Sequence, residues 1–335
     1  IGQKFRHQKK YFPTYFSPFI CHSFGRRRRR FEGGTGNAGP RKHNHHRNLY
    51  TFKQGIPSGH VRAVSSGLSP KITGYRSCKN RILRPEIYSS TGFMKLDLLA
   101  IGAHPDDVEL GCAGLLLAEK STGKKTGIID LTRGELGTRG TKESRSQEAG
   151  EASKILQLDA RENLEMADGF FQNDEKHQRK LIAAIRKYRP EIIIATAPED
   201  RHPDHGRSAQ LIKDAAFLSG LKKIETTENG KEQEAWRPKY VFHFIQDRYL
   251  QPNFVYDITP YFLKKIEAIR AFKTQFFDEG SHEPETYISK PGFLESIEHR
   301  ARIFGKMIGV EYAEGFISEK TIGISSLNVL TQKTT

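Results

Sequence analysis

The sequence is poor in cysteine, methionine and tryptophan, with 3, 3 and 1 in 335 residues. Cys21 and Cys78 precede position 94, so Cys112 stands alone in the remainder and an internal disulfide there is excluded. A reducing, cytoplasmic setting is the expectation. No apolar run approaches the ~18 residues of a membrane span. No apolar stretch with a small-residue cleavage site stands before Met94. Neither membrane insertion nor export is therefore expected.

Acidic residues are nearly missing from the first 93 positions, which hold 19 Lys/Arg and 2 Asp/Glu; the rest holds 35 and 37. The formal charge of +15 thus belongs to the leading segment, and residues 94–335 are close to neutral. That segment carries Arg26 to Arg30 in one block, a His43-Asn-His-His46 tract, and no sustained period of 2 or 3.6. We read 1–93 as a disordered basic, low-complexity extension, a mis-translated leader upstream of Met94, with an organelle presequence or an arm for nucleic acid or an anionic surface as alternatives. Residues 94–335, about 240 positions, suffice for one domain with a substantial core. Nucleic acid is not an expected partner of that core. A homo-oligomer is compatible with the sequence, which shows no interface.

From Met94 onward, strand and helix patterns alternate. Strands are expected at Asp97–Ala103, Lys125–Leu131, Asn163–Met166 and Glu191–Ala195, with helices over Val108–Ser121, Lys142–Leu156, Asp174–Tyr188 and Gly206–Ser219. Further strands at Tyr240–Gln246 and Asn253–Asp257, helices at Pro260–Phe276 and Gly292–Met307, and a charged surface loop at Lys222–Glu234 complete the reading. The expected fold is α/β, a Rossmann-like, mostly parallel sheet flanked by helices in a single domain.

Two apolar strands end in His/Asp clusters. The first runs into Ala103-His-Pro-Asp-Asp107 and the fourth into Arg201-His-Pro-Asp-His205. Open α/β folds place their ligand sites beyond the carboxyl ends of such strands. His104 and Asp107, three apart where a turn enters a helix, can reach one ion while Asp106 points elsewhere. One histidine of the second cluster would complete a three-ligand N/O site with an open position, the arrangement of hydrolytic zinc. Spacing alone does not choose between His202 and His205. Read separately, the first cluster is also an ordinary helix cap and the second a solvated loop; their matching placement argues for a shared site. The helix N-terminus should keep Asp106 and Asp107 ionised. Gly134, Gly137 and Gly140 match neither a P-loop nor a dinucleotide fingerprint and suggest a mobile loop at the mouth of the site. Cys112 reads as core packing, and His243, His282 and His299 are assigned no function.

The pair Ala103-His-Pro-Asp-Asp107 and Pro198-Glu-Asp-Arg-His-Pro-Asp-His205 resembles the LmbE/PIG-L family of zinc-dependent N-acetylglucosaminyl deacetylases, over essentially all of Met94–Val329. Thr132–Gly140, Lys273-Thr-Gln-Phe276 and Gly309–Phe316 look like its bacillithiol-biosynthesis branch, which deacetylates N-acetylglucosaminyl malate. The resemblance implies Zn²⁺ as cofactor, held by His104, Asp107 and His205, with Asp106 as general base. It also implies His202 as partner of the tetrahedral oxyanion; we expect Asp204 to hold that ring protonated through its other nitrogen. Arg145 would hold the sugar. Arg201 would meet an anionic aglycone such as malate, since arginine pairs bidentately with carboxylates. The implied partner is a small amino-sugar conjugate. Other N-acetylglucosaminides, including chitooligosaccharides, are the alternative substrates.

Overall fold

The computed structural model describes residues 94–276 and 279–331. The expectations about 1–93, including its basic block and histidine tract, lie outside the described residues.

Chain order alternates β1 (Leu98–Gly102), α1 (Asp107–Ser121), β2 (Thr126–Thr132), α2 (Lys142–Leu156), β3 (Ala160–Met166), α3 (Glu175–Tyr188), β4 (Ile192–Ala195) and α4 (Pro203–Leu218). A two-residue hairpin, β5 (Thr227–Glu228) and β6 (Lys231–Glu232), follows within the expected charged loop. Then come β7 (Tyr240–Phe244), β8 (Phe254–Asp257), α5 (Phe262–Arg270), α6 (Phe293–Ile308) and β9 (Ala313–Ser318). Local chemistry sets several starts. Thr141 caps α2 reciprocally with Ser144, and the Asp174 carboxylate accepts from the His177 amide to open α3.

The main sheet has seven strands in the order β3-β2-β1-β4-β7-β9-β8. Those from β3 to β7 are mutually parallel, while β9 runs antiparallel to both its neighbours. Every residue of β1 and β2 is buried, because helices cover both faces. Alternate residues point to opposite sides. Leu99, Ile101, Ile129 and Ile193 pack with Leu181 and Ile185 of α3 and Leu211 and Ala215 of α4. Leu98, Ala100, Ile128 and Ile194 pack with Val108 and Leu116 of α1 and Ala268 of α5. The Gly111 backbone approaches Phe244 so closely that a Cβ would overlap the ring, which explains the small residue there.

Three differences from the sequence reading affect the site. The fourth helix begins at Pro203 rather than Gly206, because proline suits the first helical position; Asp204 and His205 therefore stand on its first turn. The expected helix Pro260–Phe276 ends at Arg270 and is followed by turns through Gln275. Strand β9 was not expected: Glu314 and Gly315 interrupt its apolar pattern, and pairing with β7 and β8 supplies what local propensity lacks.

No helix among the described residues is long and apolar enough to cross a membrane.

Candidate active site

β1 and β4 are adjacent parallel strands, with Leu98 beside Ile192 and Ile101 beside Ala195. The chain leaves β1 toward β2 on one side of the sheet, whereas β4 leads to β7 on the other. Their carboxyl ends thus open a crevice at the switch point of the sheet, where ligands bind in such folds. Both His/Asp clusters enter this crevice, each at a helix N-terminus.

The predicted residues converge there. A cleft of about 370 Å³ is lined by His104, Asp106, Asp107, Arg145, Arg201, His202 and His205, and also by Leu136, Asp168, Gln246 and Ile288. Asp107 is central. Its Oδ2 lies 3.4 Å from His104 Nδ1 and its Oδ1 lies 3.1 Å from His205 Nε2. The His104 amide donates to the same carboxylate at 2.9 Å, and Gln246 Nε2 donates to it at 2.8 Å. Ring nitrogens of His104, His202 and His205 lie within 4.8 Å of one another.

Each of two histidines shows one nitrogen to Asp107 and gives the other to a further carboxylate. His104 Nε2 is 3.0 Å from Asp168 and 3.4 Å from Asp204, and His205 Nδ1 is 2.5 Å from Asp200. This is how carboxylates orient metal-binding imidazoles. His104, Asp168 and Asp204 also lie close enough to share a cation. Those two carboxylates are already engaged, however: Asp204 accepts from Arg207 at 2.6 Å and from the Gly169 amide, and Asp168 from the Leu136 amide. They fit better as supports of His104.

Electrostatics agree. Burial alone would raise Asp107, but His205 and His104 beside it hold it well below the usual carboxylate range. Burial works the same way on Asp168, where the His104 hydrogen bond prevails and brings it to about 2. Burial would lower His205, yet Asp107 and Asp200 lift it to about 9; His104 is likewise raised against burial by Asp107, Asp168 and Asp204. Ionised carboxylates thus surround two rings that carry protons in their place, and a divalent cation would satisfy the same negative charge. The donor set, imidazole nitrogens with a carboxylate and supporting carboxylates behind, fits zinc.

Asp106 departs from expectation. It does not point away but lines the cleft, buried, at the N-cap of α1, where its side chain makes no capping bond. Its φ of 116° is a conformation that L-residues rarely adopt, and such strain marks a position fixed by its surroundings. It is also not simply held ionised by the helix. Burial raises it to about 7, with Asp107 adding to the effect and Arg145 and His104 opposing it.

The contact expected between the Asp204 carboxylate and His202 is not formed. Instead the Asp204 backbone N–H donates to His202 Nδ1 at 3.2 Å. An Nδ1 that accepts cannot carry a proton, so this bond favours a neutral ring with its proton on Nε2. Burial, followed by repulsion from His104 and His205, lowers the His202 pKa in the same direction.

Arg145 is buried and donates to Gln275 Oε1. It passes over Gly134, which suits glycine twice: its φ is positive, and a Cβ would overlap the guanidinium. Arg201 stands at the rim, with its side chain 44% exposed, stacked 4.3 Å above the Tyr287 ring and 3.5 Å from Asp247. Sequence reasoning missed Asp168, Asp200, Gln246, Gln275 and Tyr287. Asp200 and Gln275 stood within quoted motifs and could have been noticed; Asp168, Gln246 and Tyr287 lie far from either cluster in sequence. A larger cleft of about 780 Å³ beside α2 and β3 touches this group only through Pro105, so size does not mark the chemistry. Cys112 is buried in the core, and His243 bonds the Thr196 carbonyl and Glu319, both as expected of packing residues.

Fold and cluster together define an α/β enzyme with histidines and carboxylates gathered at the switch point of a parallel sheet. Residues 99–216 match the family described as PIG-L, GlcNAc-PI de-N-acetylase. A diacetylchitobiose deacetylase of Thermococcus kodakarensis is 27% identical over 228 residues, which are 65% of this chain and 81% of that protein. YaiS, an uncharacterized deacetylase of Escherichia coli, is 30% identical over 38% of this chain and 70% of its own length. The crystal structure of the conserved protein TT1542 from Thermus thermophilus is similar with a TM-score of 0.61 and 36% identity, covering 69% of this chain and 98% of that one. The chain belongs to the PIG-L family of N-deacetylases.

Proposed function

We propose that this chain is a zinc-dependent hydrolase that removes the acetyl group from an N-acetylglucosaminyl conjugate, most specifically N-acetylglucosaminyl malate on the route to bacillithiol. The observation that carries the chemistry is the meeting of His104, Asp107 and His205 beside a buried, strained Asp106 poised near neutral pH. His104, Asp107 and His205 would hold the ion. Zinc bound there supplies a water of lowered pKa and polarises the acetamide carbonyl.

The residues of the chain do the rest. Asp106, as carboxylate, takes a proton from the attacking water and returns it to the nitrogen as the C–N bond breaks, so that acetate and a free amine leave. A carboxylate raised by burial is suited to both transfers. His202, neutral and protonated on Nε2, donates to the oxygen that gains charge; a neutral imidazole can fill this role. Asp204 acts on His202 through its backbone amide, while its carboxylate supports His104. Arg145, held by Gln275 over Gly134, would fix the sugar.

The anionic aglycone is supported by Arg201, an exposed cation at the rim whose partner Asp247 lies no closer than 3.5 Å. A second reading, an uncharged chitooligosaccharide, is favoured by the resemblance to the Thermococcus enzyme. We place the protein in the cytoplasm, consistent with the buried free thiol of Cys112.

Acetate release from N-acetylglucosaminyl malate and from diacetylchitobiose by the zinc-loaded chain tests the reading, with Asp106→Ala as control. Faster release from the malate conjugate is expected, and near loss in the variant. Faster release from diacetylchitobiose would replace the aglycone assignment, and no release from either would remove the function.

A further inference from the structure

We propose that Lys265 and Glu314 are positioning residues of this centre: a buried ion pair spliced into α1 that fixes the turn carrying Asp106 and Asp107. The inference deepens the function proposed above and rests on it.

Helix α1 is interrupted. Cys112 has φ −147° and ψ 23°, outside the helical region. In an unbroken helix the Gly114 amide would donate to the Leu110 carbonyl four residues back. Here the Gly114 amide donates to Glu314 Oε1 at 2.9 Å and the Leu115 amide to Glu314 Oε2 at 2.8 Å. The Leu110 carbonyl accepts from Lys265 Nζ at 3.0 Å, and that same Nζ donates to Glu314 Oε1 at 2.6 Å. The missing rung of the helix is thus bridged by the two side chains in series, carbonyl to ammonium to carboxylate to amide.

Both side chains are only 3% exposed, so water is a poor substitute. A buried charge pair adds less stability than apolar packing of the same volume, and it persists where its atoms are matched with good geometry. What this pair does provide is direction. It separates the first turn of α1 from the remainder of the helix. Two other contacts steer the same turn: Arg161 Nη1 donates to Glu109 at 2.6 Å, and Gln246 Nε2 to Asp107 at 2.8 Å. Lys265 on α5 and Glu314 on β9 lie outside residues 99–216, the part matched by the family model.

Two variants of the full chain test this. Glu314→Gln keeps the side-chain shape but cannot accept from both amides, and Lys265→Met removes the donor to Leu110. Each is read by thermal melting, by steady-state kinetics on the N-acetyl amino sugar the parent hydrolyses, and by the visible bands of the cobalt(II)-loaded protein. The expected result is a kcat lower by about ten-fold or more with KM little changed, together with displaced cobalt bands. A variant that melts lower yet keeps kcat and cobalt bands would overturn the proposal, because the pair would then only hold the fold. Should Glu314→Gln not fold, Lys265→Met carries the same comparison. A parent that takes up cobalt but releases no acetate from any N-acetyl sugar would end the proposed function, while the cobalt bands would still decide the role of the pair.

Discussion

His205 gives its Nδ1 to Asp200 at 2.5 Å and turns its Nε2 toward Asp107. The carboxylate behind the ring thereby sets which nitrogen faces the cleft. Replacing Asp200 by Asn keeps the shape and removes the charge. We expect Asp200→Asn to weaken zinc binding by about 10- to 100-fold, as measured by competition with a chelating dye. Unchanged affinity would mean that Asp200 does not orient a ligand.

Zinc uptake should release protons. In the metal-free chain the His205 pKa is about 9, raised against burial by Asp107 and Asp200, so at pH 7 the ring is protonated and must lose its proton to bind an ion. Calorimetric titration with zinc in buffers of different ionisation enthalpy will give the number released, expected to fall as pH rises through about 9. The same group has a stability consequence. Its folded pKa exceeds the unfolded value of about 6.5, so the stabilisation it confers is complete below 6.5 and is lost as pH rises toward 9. His104, also raised, acts in the same sense. The metal-free protein should therefore melt at a lower temperature at pH 9 than at 6.5, and zinc should narrow the difference.

Asp106 must be ionised to accept a proton. Burial raises its pKa to about 7; Arg145 opposes this, Asp107 adds to it and His104 opposes it. The rate should rise with pH along an acid limb at or below about 7, because a bound cation nearby draws the group downward. Asp106→Asn should lower kcat by about 10²- to 10⁴-fold with zinc still bound. An acid limb that survives in Asp106→Asn with full activity would assign the base elsewhere.

Arg201→Ala separates the two substrate readings. If Arg201 meets a carboxylate of the aglycone, KM for a malate glycoside should rise far more than KM for free N-acetylglucosamine. An equal effect on both would remove the anion-binding role and leave the stack on Tyr287 as the function of this side chain.

Among the described residues, the groups that line the cleft belong to residues 104–288. A chain starting at Met94 should therefore keep its deacetylase activity. Loss of activity on that truncation would turn attention to the basic extension and an anionic partner.

The amino-acid pattern was enough to specify the strands and helices of the parallel half, since continuous apolar runs such as Leu98–Gly102 and Ile192–Ala195 can be satisfied only by burial on both faces. It also determined the two His/Asp clusters, because both lie in short segments directly after those strands, where a local pattern is enough. It did not determine which nitrogen of each ring faces the cleft, that Asp106 is buried at a positive φ, or that the Asp204 carboxylate turns to His104 rather than His202. Those outcomes depend on Asp168 and Gln246, which meet the clusters through the packing of separate elements, and on Asp200 and Arg207, near neighbours in sequence whose carboxylate and guanidinium are aimed only by the folded loop and helix. Strand β9 was equally hidden: Glu314 looks like a surface residue in sequence, and only the break in α1, with two amides and Lys265 waiting beside it, makes its burial favourable. Tertiary structure decided these points because a buried polar group takes its conformation and its charge from partners distant in sequence.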